Sequence, residues 1–500
     1  MKKLSSLLAI ILLAVCNTLS GRTPENAPKL SVEETLRAAP EKAGGLMYVY
    51  DYKEDAPMTP APKGYKPFYV SHFGRHGARY ATGTQYKLVK KVLDKAKADG
   101  SLTERGERLH EDYTAFYEKA IYHDGELSEV GIEQQRTIAG RLGRRFPEVF
   151  KGKTHAVAIS TPSHRVILSM ASFLDALQEM DRSFTVEESY SEAYSPVLRP
   201  NWSPLAKDRP DKMDKLTEQY IPYFNETVDV EGIMGRILLN PMETVKRLNI
   251  NAERFLCNLF DIVNGNGCLR DEEAVYDGIF TEADLIPFIR AAWFRDYLFL
   301  TRYKGSPSLF PDYAAYTLKD ILDRADEDIA SGDVQLRLRF SHDSSLIPFM
   351  ALLNVDGLGE TASTPEEALD IFPLWEMPMG GSLQLVFYRR GAKDDILVKL
   401  LRNEREASLP VDSVEGPYYR WTDVSEYCRK LIDSSLAGIS SLQVHGTMPS
   451  KPMWRPLPFQ EPPSASRSFQ STGTLTKVLP VNSLLRRFLR HRALSESQGS

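Results

Sequence analysis

Five consecutive residues, Arg75-His76-Gly77-Ala78-Arg79, place one imidazole between two guanidiniums, with a glycine directly after the imidazole. A planar guanidinium fork matches phosphate oxygens bidentately. A histidine nitrogen is a competent nucleophile, able to carry a transferred group as a covalent intermediate. Glycine lets a backbone turn sharply and approach a ligand closely. On residue chemistry alone the string reads as a phosphate cradle with a nucleophile in it. The competing reading is a solvated basic stretch of surface.

The flanking sequence favours the cradle. Pro67 to Phe73 is aromatic and β-branched, the composition of a buried strand. From Thr84 to Asp99, residues Leu88, Val89, Val92, Leu93 and Ala96 fall on one helical face, and Gly100 ends the pattern. The string therefore follows a strand and precedes a helix, where ligands bind in open α/β sheets.

Two more strand ends carry comparable chemistry. His155 to Ser160 reads as a strand that leads into Thr161-Pro162-Ser163-His164-Arg165, with Ser169 a turn later. A helical stripe of Val166, Ile167, Met170, Phe173, Leu174 and Leu177 follows. Val334, Leu336, Leu338 and Phe340 alternate with Gln335, Arg337 and Arg339, a strand that runs into Ser341-His342-Asp343. The blander alternatives are that Arg165 pairs with a surface acid and that Asp343 caps a helix.

Together the three segments resemble the histidine phosphatase superfamily, in the larger branch that holds histidine acid phosphatases, phytases and multiple inositol polyphosphate phosphatases. By motif order the resemblance spans about residues 45 to 430. It implies that His76 attacks phosphorus as the nucleophile, and that Arg75, Arg79, Arg165 and His342 bind the nonbridging phosphate oxygens. It implies Asp343 as proton donor to the leaving oxygen. The activity it implies is a phosphatase for small-molecule phosphate monoesters, working through a phosphohistidine, with no metal or other cofactor.

Two details bear on the subfamily. The third motif is His342-Asp343, as in phytases and acid phosphatases, where animal inositol polyphosphate phosphatases carry His-Ala-Glu. Arg79-Tyr80 resembles the inositol polyphosphate group instead. A phosphotransferase of the phosphoglycerate-mutase kind shares the arginine-flanked histidine, and a non-catalytic phospho-ligand-binding protein needs the same cradle. His72 and His164 have no metal-ligand spacing with Asp343. Lys87, Lys90 and Lys91 lie opposite an apolar stripe and read as a solvated helix face.

Around the motifs, 500 residues with 42% apolar content suffice for one large domain with an insertion, or for two domains. A net charge of −5 argues against nucleic-acid binding, so any basic site is local. The elements read as a three-layer α/β/α sandwich with a mostly parallel central sheet, residues 45–184 and 331–432, and an inserted α-helical cap over 185–330. Residues 433–500 read as a disordered tail that includes a basic amphipathic stretch from Val478 to Arg492.

Met1-Lys2-Lys3 followed by the apolar run Leu4 to Val15 reads as a signal peptide over residues 1–20, hence export to the periplasm, outer surface or medium of a bacterium. Leu13-Ala14-Val15-Cys16 resembles a lipobox with Val15 out of pattern, which keeps a lipid anchor at Cys16 as an alternative. No later segment is long and apolar enough for a stable membrane span. Cys257 and Cys268 admit two readings, a bridge between them or buried free thiols.

Overall fold

The computed structural model describes residues 30–50, 55–203, 206, 209–270, 278–306, 308–391 and 395–443. The expected signal peptide, Cys16 and the Val478 to Arg492 stretch lie outside the described residues.

An eight-stranded sheet forms the middle of the molecule. Its order is β3 (Thr185–Tyr190), β2 (His155–Ser160), β4 (Leu336–Ser341), β1 (Lys66–Arg75), β5 (Ser382–Arg389), β6 (Leu397–Arg402) and β7 (Arg405–Ala407), with β8 (Tyr419–Arg420) paired to β6. The β3-β2-β4-β1 half is parallel, while β1-β5, β5-β6, β6-β7 and β6-β8 are antiparallel. The sheet is therefore mixed rather than mostly parallel. For β5-β6 and β6-β7 the reason is connection length: a parallel neighbour needs a crossover of a dozen or more residues, and these strands follow one another too closely for one.

The helices follow local signals. α1 (Gly83–Asp99) starts at a capping box formed by Thr82 and Gln85 and stops at Gly100, whose φ of 69° is left-handed. α2 is Glu104–Ala120. α3 (Glu129–Arg145) is capped by Ser128, which accepts from the Gly131 amide. The remaining long helices are α4 (His164–Met180), α5 (Arg209–Thr227), α6 (Ala252–Asn264), α7 (Glu282–Leu300), α8 (Ala315–Ser331), α9 (Asp343–Leu353) and α10 (Trp421–Gln443).

Strand alternation sorts the layers. Val70, Ala158, Leu338 and Phe340 turn toward α3 and α4, where Ile138, Leu142, Phe173 and Leu177 meet them. Tyr69, Phe73, Leu385 and Phe387 face the opposite layer, which includes Leu318 of α8, Phe349 of α9 and Val424 of α10. On β4 the intervening positions are Arg337 and Arg339, and they too are covered. Arg339 donates to Asp320 at 2.7 and 2.9 Å, and Arg337 reaches Asp328, which also accepts from the Tyr69 hydroxyl at 2.9 Å. This alternating strand is thus covered on both faces, with α8 supplying the counter-charges.

Thr185–Tyr190 pairs in register with β2, so this stretch belongs to the sheet and the helical region starts after it. α1 packs on α6 and on α2, so the part of the β1–β2 connection that precedes α3 joins the helical layer, and one apolar core runs through both. α10 continues past residue 433 to Gln443, because Val424, Cys428, Ile432 and Ile439 keep one of its faces buried.

Cys257 and Cys268 are unbridged, buried thiols. Cys257 lies against Tyr220 and Glu253, whereas Cys268 points to the Met47 carbonyl at 3.1 Å.

Candidate active site

The parallel register places three motifs on one rim. Arg75 is level with Ser341 across β1 and β4, and Ser160 is level with Phe340 across β2 and β4. The residues that follow each strand therefore converge at its carboxyl end, around a cleft of about 240 Å³. Five of the six predicted residues line it: His76, Arg79, Arg165, His342 and Asp343.

The loop carrying His76 is fixed from four sides. Its backbone NH donates to the Ser341 carbonyl at 3.1 Å, and its carbonyl accepts from the Gly380 NH at 2.9 Å. The Gly77 NH donates to Ser169 Oγ at 3.0 Å, and the Ala78 NH to Gln134 Oε1 at 3.1 Å. Gln135 donates to the Arg75 carbonyl at 3.1 Å. Gly77 serves a different purpose from the expected close approach to a ligand. A Cβ there would stand 2.5 Å from the Gly131 carbonyl oxygen, so the glycine admits helix α3, and Gly131 in turn lies against the Ala78 backbone.

The hydrogen bond at Nδ1 sets the protonation of His76. Nδ1 lies 2.9 Å from the Gly77 carbonyl, which can only accept. The proton is therefore on Nδ1, and Nε2 keeps its lone pair for the cleft. Burial, then the charges of Arg75, Arg165 and Arg79, hold the imidazole well below its ordinary pKa. A neutral, correctly tautomerised imidazole is what nucleophilic attack requires.

Arg75 sits deeper than its motif suggests. It is fully buried, with Nη1 donating to the carbonyls of Leu46 and Met377 at 2.7 and 2.8 Å and Nη2 paired with Asp343. It reaches the cleft through that carboxylate. Arg79 and Arg165 line the cleft directly, and the buried Nε of each finds no partner among the described residues. Burial and the Arg79 charge bring the Arg165 guanidinium down to about 10.

His342 and Asp343 open α9. His342 Nδ1 stands 3.3 Å from Arg165 Nη2, and its Nε2 stands 3.2 Å from Thr161 Oγ1. Burial and Arg165 push its pKa down to about 3. Burial pushes the Asp343 carboxyl up, but Arg75, His342, Arg79 and the Ser344 amide outweigh it and hold the group below the usual carboxylate range.

Sequence reading missed Arg199 and Trp202, which line the same cleft from the segment after β3. That segment is tied to the β4 end: Ser341 Oγ donates to the Leu198 carbonyl at 2.6 Å, and Asn201 to the Ser344 carbonyl at 2.7 Å. Glu192 holds Arg199 at 2.5 and 2.7 Å. Gln134 carried a readable signal, since it falls on the helical face shared with Ile138 and Leu142, where a polar residue is out of place. Arg199 and Trp202 had none. Lys87, Lys90 and Lys91 stand away from the cleft lining, and Lys90 pairs with Asp94. His72 is buried beside Gln384, its pKa brought down to about 3 by burial. Among the described residues no cluster of three His, Cys, Asp or Glu side chains is arranged to hold a metal ion.

A neutral histidine at the end of a parallel strand, backed by buried guanidiniums, marks the chemistry of the histidine phosphatases. Sequence comparison agrees: residues 70–403 match the histidine phosphatase superfamily, branch 2, and the chain belongs to that family. Human multiple inositol polyphosphate phosphatase 1 is 22% identical over 405 residues, 73% of this chain and 81% of that protein. The apo form of Bifidobacterium longum multiple inositol polyphosphate phosphatase shares the fold at 17% identity and a TM-score of 0.64, covering 78% of this chain and 97% of its own. The phytase from D. castellii does so at 18% identity and a TM-score of 0.58, covering 83% and 88%.

Proposed function

We propose that this protein is an exported histidine acid phosphatase that hydrolyses phosphate monoesters through a phosphohistidine at His76, with inositol polyphosphates as its substrate class. One observation carries the reading: the Nδ1 bond to the Gly77 carbonyl leaves a neutral Nε2 lone pair in a cleft lined by Arg79 and Arg165. Nε2 attacks phosphorus as the ester P–O bond breaks, and the departing oxygen takes a proton from Asp343. Water then attacks the phosphohistidine and gives its proton to the Asp343 carboxylate, which releases phosphate and neutral His76.

Arg79, Arg165 and His342 meet the nonbridging oxygens, and electrostatic stabilisation by such groups dominates a loose phosphoryl-transfer transition state. Arg75 supplies charge from behind His76 and Asp343. The phosphate dianion opposes the pull of Arg75 on Asp343 and raises its pKa, so the acid gains its proton as the substrate settles.

Arg199 and Trp202 line the same cleft from the segment after β3. A further cation in that lining, beside Arg79 and Arg165, suits a substrate bearing more than one phosphate, and the relatives named for inositol polyphosphates support that class. Export rests on Lys2-Lys3 and the apolar run Leu4 to Val15. The direct test is phosphate release from phytate, glucose phosphates and a nitrophenyl ester by the mature protein. Tight binding of all three with no release at any pH would sink the hydrolase reading. Arg199→Ala should raise KM for phytate by roughly ten- to a hundredfold, the worth of one charge-assisted hydrogen bond, and barely change the nitrophenyl ester.

A further inference from the structure

The two nitrogens of His342 have different neighbours, and together they fix its tautomer. A guanidinium only donates, so Nδ1, 3.3 Å from Arg165 Nη2, is an acceptor without a proton. Nε2 therefore carries the proton and donates to Thr161 Oγ1 at 3.2 Å. In this arrangement His342 offers the cleft no N–H. A phosphate in the cleft would draw Arg165 toward its oxygens and leave the bare Nδ1 lone pair facing negative charge.

Thr161 is buried at the end of β2, and its backbone NH is anchored to the Phe340 carbonyl at 3.3 Å. Its hydroxyl both donates and accepts, which no aliphatic side chain of that shape can do. We propose that Thr161 is a positioning residue that lets His342 change tautomer: the hydroxyl passes from acceptor to donor toward Nε2, and His342 then presents Nδ1–H to the phosphoryl group. One proton leaves Nε2 and one arrives at Nδ1 by exchange with water in the open cleft, so the imidazole stays neutral. Burial and the neighbouring arginines disfavour the alternative in which the ring takes up a second proton. The inference rests on the phosphatase reading above, in which His342 touches the substrate phosphate.

The test uses the full chain labelled with ¹⁵N-histidine, with inorganic phosphate as the probe and Thr161→Val and Thr161→Ser as variants. The His342 signals are assigned by their loss in His342→Asn. Without phosphate, the protonated nitrogen should be Nε2. On saturation with phosphate it should become Nδ1 in the wild type and in Thr161→Ser, but not in Thr161→Val. Thr161→Val should weaken inhibition by phosphate and raise KM roughly ten- to a hundredfold, whereas Thr161→Ser should restore both. A merely structural role would change stability without moving the nitrogen signals.

The proposal is overturned if Nε2 stays protonated on phosphate binding, either alone or in an imidazolium, or if Thr161→Val binds phosphate like the wild type. Full turnover by His76→Ala would instead remove the phosphatase reading beneath it, so the two failures are distinguishable.

Discussion

At the scale of single residues, the pairing of Arg75 with Asp343 governs the pH behaviour. In the proposed mechanism Asp343 donates a proton and must be protonated, yet Arg75 holds it below the usual carboxylate range. In the free enzyme the donor form is therefore lost early as pH rises. Bound phosphate raises the group, so in the complex the same loss comes later. The alkaline limb of kcat should lie at higher pH than that of kcat/KM, and Asp343→Asn should erase it. Coincident limbs for the wild type would contradict the account. Asp343→Asn should also slow hydrolysis of alkyl esters such as phytate by roughly 10²–10⁴ and that of a nitrophenyl ester far less, because nitrophenolate leaves without a proton. His76 stays neutral into the acid range, so it sets no limb near its ordinary pKa.

At the scale of elements, His76, the proposed nucleophile, is positioned by the contact between its loop and helix α3. The sequence made much of this legible. Arg75-His76-Gly77-Ala78-Arg79, Arg165 and His342-Asp343 each announce themselves by residue type after a strand pattern, and the strands and helices around them carry clear period-2 and period-3.6 signals. The reason for Gly77 was not legible, because its neighbour Gly131 is distant in sequence and meets it only through packing. Gly77→Ala should destabilise by about 1–3 kcal/mol through overpacking and lower kcat/KM, since the loop bearing His76 must shift. Ser169→Ala leaves the Gly77 NH without its partner, a cost of about 1–3 kcal/mol. Thermal unfolding measured beside steady-state kinetics checks both. Wild-type stability in either variant would mean that the loop is held in some other way.

At the scale of the whole molecule, an acidic chain concentrates positive charge at one strand rim and neutralises it elsewhere. Arg337 and Arg339 show the second half of that rule. Alternation along β4 assigned them to one face, but their burial depends on Asp320 and Asp328 of α8, a tertiary pairing that local pattern does not encode. Likewise, Arg199 and Trp202 enter the cleft only because Ser341 and Asn201 tie their segment to β4 and α9. Asp320→Ala strands the buried Arg339 charge and should lower stability by about 3–5 kcal/mol while leaving KM nearly unchanged in the folded fraction. Denaturant unfolding with parallel kinetics decides this, and an unchanged midpoint would refute it.

The proposed mechanism stands on His76 as carrier of the phosphoryl group. Rapid acid-free quenching of the enzyme with ³²P-labelled substrate, followed by peptide mapping, tests it most directly. Label is expected on the peptide containing His76, stable in base and labile in acid, and both label and turnover should be lost completely in His76→Ala. Label on another residue, or steady phosphate release by His76→Ala, would contradict it.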